Sequence, residues 1–283
     1  MKLLSALYIV PTPIGHFDDI TKRALDVLSE VDWIACEDTR TSAKLFNHFG
    51  IKAKTFSLHE HNEVQRLSWI TEQLDKDASI ALISDAGTPL ISDPGYKVVA
   101  HLREHGYQVT ALPGACAAIA ALSAAGIPSD RFCFEGFLPA KSASRQGKLQ
   151  DLLQESRTMI FYESPRRAVR TLEDMAVIWG ETHRIAIARE LTKVYETFLF
   201  GSVRDVLSRL RADENQQKGE MVIVCHGFKS KPQELPREAL EMLSLLCQDL
   251  PLKQVSKYIA IAFKVNKNTV YQHGLSLKKS PLA

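Results

Sequence analysis

The chain has 283 residues, 45% apolar and 24% charged, an ordinary globular composition with length enough for two domains. No run of about 18 apolar residues occurs, so no helical membrane span is expected. The formal net charge of +2 hides an asymmetry: residues 229–283 hold nine Lys/Arg against four Asp/Glu, and the rest holds 26 against 29.

In chain order, MKLLSALYIVPTPIG opens with an apolar run that breaks at Pro11. It reads as a first strand, Leu7 to Val10, rather than a signal peptide. A helix from Asp19 to Glu30 follows, capped by Asp18 or Asp19. Trp33 to Cys36 is a strand and Ser42 to Phe49 a helix. Strands at Lys54 to Leu58, Ile80 to Ser84 and Val109 to Leu112 alternate with helices at Glu63 to Leu74 and Lys97 to His105. Ala115 to Ala125 is a small-residue helix expected to pack close to its sheet. This order implies a mostly parallel sheet covered on both faces.

A break falls at Gly126 to Asp130. Strands are then predicted at Phe132 to Glu135, Thr158 to Tyr162, Arg184 to Ala188, Glu196 to Phe200 and Met221 to Cys225. Helices are predicted at Arg167 to Trp179 and Val203 to Arg211, with Phe137 to Gly147 a basic loop. Two of the strands follow each other closely, so this sheet is expected to be mixed. Lys229 to Pro236 reads as a linker and the remainder as helical. The fold class is therefore α/β: an N-terminal domain over 1–126, a second α/β domain over 127–228, and a basic helical module over 229–283.

Three loops follow strands of the first sheet, at the edge where open α/β sheets bind ligands. Leu82 to Gly95 (LISDAGTPLISDPG) is dense in turn formers, which bring backbone close to a ligand. It offers the hydroxyls of Thr88 and Ser92, the carboxylates of Asp85 and Asp93, and no Lys or Arg. Such a loop suits a ligand that is neutral or cationic there. Val10 to Thr21 lacks GxGxxG and GKS/T, and its prolines remove the backbone donors a polyphosphate needs. Pro113 to Ala121 is small enough for a bulky ligand to lie against backbone. The plain alternative for each loop is a tight connection between strand and helix. The scattered cysteines (Cys36, Cys116, Cys133, Cys225, Cys247) form no CxxC pair, which argues against zinc and disulfides and for a reducing, cytoplasmic compartment. His59 and His61 lack a third ligand nearby, so no metal is expected.

The set LYIVPTPIGHFDDIT, CEDTRTS, ISDAGTPLISDPG, LPGACAAIAALSAAGIPSDRF, FYESPRR, ARELTKVYET and KGEMVIV resembles the tetrapyrrole methylase superfamily of S-adenosylmethionine-dependent methyltransferases, in its ribosomal-RNA branch. The resemblance runs from about Leu7 to Gly227. It implies two α/β domains with the cofactor between them, a homodimer, and 2′-O-methylation of a cytidine in the decoding region of small-subunit ribosomal RNA, within the assembled subunit. Position by position, it places Pro13, Ile14 and Gly15 beside the cofactor. It aligns Ala86, Gly87, Thr88 and Pro89 with a GGDP-type motif, so that Thr88 replaces an acid. Ile91 would touch the adenosyl group. Cys116 and Ala117, Tyr162 and Glu163, and Gly219, Glu220 and Met221 complete the cofactor set. A sulfonium cation without phosphate agrees with the loop chemistry, Asp85 being a natural partner.

Transfer to a ribose hydroxyl needs alignment and help in removing a proton. The charged runs EDTR (Glu37 to Arg40) and RELTK (Arg189 to Lys193) are candidates. Lys193 or Glu190 is expected to act on the hydroxyl, with Asp38, Arg40 and Arg189 positioning the nucleotide; the alternative is an ion-pair network between domains. Two basic clusters, Lys141, Arg145 and Lys148, then Arg166, Arg167 and Arg170, would position phosphates. Leu252 to His273 resembles a helix-turn-helix whose second helix opens at Lys267, with Asn266 as its cap and RNA as its partner. The alternative is a small helical cap folded onto the body, and for the basic clusters and the tail's charge a solvated face. Other readings are a methylase of a tetrapyrrole or protein residue, and a noncatalytic RNA- or ribosome-binding factor.

Overall fold

The computed structural model describes residues 3–228 and 235–279. The first half alternates strand and helix: β1 (Leu7–Ile9), α1 (Lys22–Glu30), β2 (Trp33–Cys36), α2 (Thr39–Phe49), β3 (Lys54–Ser57), α3 (Glu63–Asp75), β4 (Ile80–Ile83), α4 (Tyr96–Glu104), β5 (Val109–Ala111) and α5 (Ala117–Ala124). The second half adds β6 (Phe132–Phe137), α6 (Ser142–Asp151), β7 (Thr158–Glu163), α7 (Pro165–Trp179), β8 (Arg184–Arg189), β9 (Thr197–Ser202), α8 (Val203–Ala212) and β10 (Met221–Cys225). Three helices close the chain: α9 (Arg237–Leu246), α10 (Leu252–Ala262) and α11 (Lys267–Lys279).

The first sheet is wholly parallel, in the order β3-β2-β4-β1-β5. Its strands are buried on both faces, so they read as apolar runs rather than alternating ones. Tyr8, Ile34 and Ile83 pack with α1 and α2, whereas Leu7, Ala35 and Leu82 pack with α3 and α4. The neighbours β1 and β4 thus send their following helices to opposite faces. That divergence opens a crevice at their carboxyl ends.

The second sheet is mixed, in the order β6-β7-β10-β8-β9, with only β6 and β7 parallel. The alanine-rich α5 packs against this sheet, with Ala118, Ala121 and Leu122 on Ile160, Ala186, Val222 and Val224. The expected contact with its own sheet gives way to this one. A helix with little polar surface needs a second layer to cover it, and α5 joins the two α/β domains.

Two expectations change locally. Thr21, not Asp18 or Asp19, caps α1, its hydroxyl accepting from Ala24 N at 3.1 Å. The expected basic loop Phe137 to Gly147 is largely strand end and helix α6. Its Arg145 is buried and paired to Asp174 of α7 at 2.6 Å, and Lys148 pairs with Glu135 at 2.9 Å. Arg145 holds the fold together and is withdrawn from any phosphate-binding surface, whereas Lys148 stays partly exposed beside its partner.

Among the described residues the chain divides into two compact units, 3–153 with 157–227, and 154–156 with 228 and 235–279. The second has its own core of Leu235, Ala239, Leu243, Leu252, Val255 and Ile259, joined by Val265 and Val270. Asn266 Oδ1 accepts from Asn268 N at 2.8 Å at the start of α11, as expected of a cap. Of the expected linker, only Leu235 and Pro236 lie within the described residues.

Candidate active site

The three loops of the first sheet are stitched to one another. Thr12 N donates to Gly87 O at 2.9 Å, Gly87 N returns to Thr12 O at 3.0 Å, and Thr12 Oγ1 donates to Ser84 O at 3.2 Å. Thr88 Oγ1 donates to Ala115 O at 2.9 Å, tying in the third loop. A Cβ on Gly114 would lie 2.5 Å from Pro11 Cβ, so only glycine lets the first and third loops meet. Leu90 and Ser92 both hold positive φ, 72° and 69°. Such backbone costs on the order of 1–3 kcal/mol per residue and persists where the surroundings enforce it. The far end is anchored by buried Glu63, whose carboxylate accepts from Gly95 N.

These loops form one wall of a cleft of about 470 Å³. Ile14, Asp85, Ala86, Gly87, Thr88 and Ile91 line it from the first domain, with Ala117 of α5. Tyr162, Glu163, Gly219, Glu220 and Met221 line it from the second. All of these are among the residues singled out in the sequence. Pro13 and Gly15 flank the lining Ile14 without reaching the cleft. Cys116 stands behind Ala117 against the Tyr162 hydroxyl. That hydroxyl accepts from Ala118 N at 3.3 Å, and burial first, then Cys116, raises its pKa, keeping it neutral. Glu163 is buried and does not present a free charge: Thr171 Oγ1 donates to it at 2.6 Å, Ser164 N at 2.7 Å, and Arg167 pairs with it at 3.1 Å.

No Lys or Arg lines the cleft, but five carboxylates do; Glu163 is paired to Arg167 and Glu220 to Lys193, and the other three are Glu37, Asp85 and Asp93. They are close enough to perturb one another. Burial, then the charge of Glu37, pushes Asp93 up to about 6. Burial also raises Glu37 and Asp85, each further raised by a neighbouring carboxylate. Each of the three is thus harder to ionise than an exposed carboxyl, and a positive charge nearby would favour its ionised form. Glu37 and Asp93 stand in the EDTR run and the long loop, but nothing in either run shows that they converge. Ala188 and Leu191, inside the quoted ARELTKVYET run but not singled out, also line the cleft, and Phe137 does so without a sequence signal of its own.

The RELTK run sits at the lip. Gly15 packs on it so closely that a Cβ would lie 2.6 Å from Lys193 Cγ and Thr192 Oγ1, and His16 N donates to Thr192 Oγ1 at 3.0 Å. Lys193 Nζ reaches Glu190 at 2.9 Å and Glu220 at 3.1 Å. Burial disfavours the Lys193 ammonium, but the hydrogen bonds with Glu190 and Glu220 outweigh it and raise the pKa. Burial would raise Glu190, but the Lys193 and Glu220 N–H bonds outweigh it and lower the pKa. A lysine held protonated and a carboxylate held ionised are poor proton acceptors, and neither lines the cleft. Lys193, Glu190 and Glu220 form an ion-pair network within the second domain, not the network between domains that is the alternative for these residues.

Arg189 is also redirected. It is buried, and its guanidinium donates to Gln216, Lys218 O, Tyr195 O and Thr197, bracing the RELTK loop rather than facing a nucleotide. Arg167 is held by Glu163 and Leu138 O. Arg166 is exposed beside the cleft-lining Pro165. Asp38 caps α2, accepting from Arg40 N at 2.8 Å, and its side chain pairs with Arg40 at 2.7 Å. That pairing lowers Asp38 to about 2. Asp38 N donates to Asp85 Oδ1 at 3.2 Å, so this turn orients one of the cleft carboxylates. Lys267 is exposed at the start of α11, in the second unit. Among the described residues no group of three or more His, Cys, Asp or Glu is placed to hold a metal ion, and no helix is long and apolar enough to cross a membrane.

The arrangement of a parallel and a mixed sheet about the crevice is shared with solved methyltransferases. Cobalt precorrin-4 methyltransferase, a cobalamin biosynthetic enzyme, superposes with a TM-score of 0.57 at 17% identity, covering 78% of this chain and 95% of that one. Diphthine synthase superposes at 0.59 and 12% identity, covering 78% and 90%. Uroporphyrin-III C-methyl transferase from Thermus thermophilus, solved with S-adenyl homocysteine, does so at 0.52 and 14%, covering 77% and 96%. Residues 6–207 match the family described as Tetrapyrrole (Corrin/Porphyrin) Methylases, and the chain belongs to that family. Its place there is with the proteins named ribosomal RNA small subunit methyltransferase I. That of Escherichia coli O157:H7 is 52% identical over 95% of this chain and 94% of its own length. That of Vibrio cholerae serotype O1 is 51% identical over 95% and 94%. Residues 233–278 match the family described as RsmI C-terminal HTH domain.

Proposed function

We propose that the cleft binds S-adenosylmethionine and that the protein methylates the ribose 2′-hydroxyl of a cytidine in the decoding region of small-subunit ribosomal RNA. The observation that carries the first part is the ring of Glu37, Asp85 and Asp93 in a cleft with no lining Lys or Arg. A phosphate-bearing cofactor would be repelled there, whereas a sulfonium and an ammonium are attracted. Ala188, Leu191, Met221 and Gly219 supply a flat, largely apolar floor for an adenine. The names of the relatives and the basic, helix-turn-helix C-terminal module support RNA as the substrate.

When bound, the cofactor supplies an electrophilic methyl on a good leaving group. The chain's own part is to align the attacking oxygen, exclude water and receive a proton. Thr88 lines the cleft, but its hydroxyl already donates to Ala115 O, so toward a ligand it can only accept. Glu37, half-buried in the cleft and more basic than an ordinary carboxylate, is assigned in this reading to take the hydroxyl proton. Glu37→Gln is expected to lower kcat at saturating cofactor roughly 10²-fold or more and, because Glu37 belongs to the carboxylate set, also to weaken cofactor binding. The deciding experiment is a tritiated-methyl assay on unmodified small subunits and on naked RNA, followed by mapping of the labelled nucleotide. Label on a base, on protein, or nowhere would refute the assignment.

A further inference from the structure

Phe137 is an anomaly: a large aromatic side chain 57% exposed, yet lining the cleft. Its position comes from a bulge. Along β6, Phe132, Cys133 and Phe134 oppose Thr158, Met159 and Ile160 of β7, but Gly136 and Phe137 then oppose Phe161 and Tyr162. Glu135 is the extra residue, and Gly136 takes φ +67°, a conformation glycine adopts freely. In an unbroken strand Phe134 and Phe137 would point to opposite faces. The bulge puts both on one face, where they meet Tyr162 edge-on at 4.8 and 5.8 Å. A bulge that re-aims one side chain beside a cleft is a functional device more often than a defect.

We infer that Phe137 is the platform on which the base of the substrate nucleotide stacks while its ribose faces the methyl donor. This rests on the RNA-methylation reading above. β6 is the edge strand of the second sheet, two strands from β10, whose Met221 and Val222 floor the cleft. Two strand spacings are about 10 Å, the scale of a nucleoside. The cofactor's adenine and the substrate base can therefore occupy different ends of one cleft. Tyr162 braces one side of the Phe137 ring and the rest is open, as a stacking surface must be. Pro165, two residues beyond the β7 strand that pairs with β6, also lines the cleft, and exposed Arg166 follows it, a positive charge available to the nucleotide's phosphate. Aromatic stacking needs no base-specific hydrogen bond, so this end supplies affinity and position, and sequence choice comes from elsewhere.

The test uses the full chain, unmodified small subunits and S-adenosylmethionine. Phe137→Ala should raise KM for the subunit about 5- to 150-fold, with cofactor Kd by calorimetry and melting temperature unchanged. Phe137→Tyr should restore KM, and Phe137→Leu, apolar but without a ring face, should not. An unchanged KM in Phe137→Ala, equal rescue by Leu and Tyr, or a loss confined to cofactor Kd would each overturn the inference. Should Phe137→Ala fail to fold, the Leu and Tyr pair decides it alone. A wild-type protein that transfers no methyl to RNA refutes the RNA reading and this inference together. A wild-type protein that is active beside an unaffected Phe137→Ala refutes only the inference.

Discussion

At the scale of single residues, the cleft is organised by carboxylates that would rather not all be charged. Asp93 titrates near 6 because it is buried and because Glu37 faces it, well above the ~3.9 of an exposed aspartate. The native state therefore holds a proton that the unfolded chain releases. This favours folding fully below about pH 4 and is lost as pH rises through about 6. Asp93→Asn should flatten that decline and raise the melting temperature at pH 7, with Glu37 and Asp85 leaving a residual slope of the same sign. Binding has the opposite dependence. A cation prefers the ionised carboxylate, so S-adenosylmethionine affinity should increase as pH climbs through about 6, and Asp93→Asn should weaken and flatten it. Calorimetric titrations between about pH 5 and 8 check both trends. An affinity that rises just as steeply in the variant would remove Asp93 from the cation site.

At the scale of elements, two connections can be compared, one remote from the cleft lining and one at its lip. Arg145 of α6 is buried against Asp174 of α7, with Ser142 and Gln146 also donating to that carboxylate. Removing one partner of such a pair leaves an uncompensated buried charge, so Asp174→Ala should destabilise by about 3–5 kcal/mol without altering cofactor affinity in the folded fraction. The second connection is Gly15 on the RELTK loop. Of the atoms a Cβ would meet there, Leu191 O, at 2.9 Å, is backbone and cannot swing aside. Gly15→Ala should therefore cost roughly 1–3 kcal/mol and, unlike Asp174→Ala, should also weaken cofactor binding because it pushes apart the two walls. Chemical denaturation with parallel calorimetry separates the two cases. These elements also show what is legible in the sequence. The parallel strands stand out because burial on both faces requires apolar runs, and their ligand loops because Gly and Pro interrupt those runs. Helix α6 does not, because a principal inward-facing residue is an arginine whose partner lies in another helix. Lys193 and Glu190 are recognisable as a charged pair at the right loop. Only the hydrogen bonds they make to each other and to Glu220 show that one is held protonated and the other ionised. Phe137 is hidden because a one-residue bulge decides which face it meets.

At the scale of the molecule, charge and chemistry are divided between the two units. The candidate active site is built entirely from the first, and its lining is acidic. The second exposes Lys253, Lys257, Lys264 and Lys267 around a small apolar core, in helices α10 and α11 and the turn joining them. A cleft that attracts a cation also repels a polyanion, so RNA needs attraction supplied elsewhere, and the basic module is suited to supply it. Phosphate contacts make affinity depend on salt, each one contributing about 0.7 to 0.9 to the slope of log K against log salt. Replacing all four lysines with alanine should reduce that slope by up to about 3, weaken subunit binding most at low salt, and leave cofactor Kd unchanged. Because these positions are exposed, the substitutions leave the module's core of Leu243, Val255 and Ile259 intact, which melting curves would verify. A slope that stays at the wild-type value would mean that these lysines are only a solvated face. The phosphates would then have to be met from the first unit, where Arg166 and Arg170 are exposed.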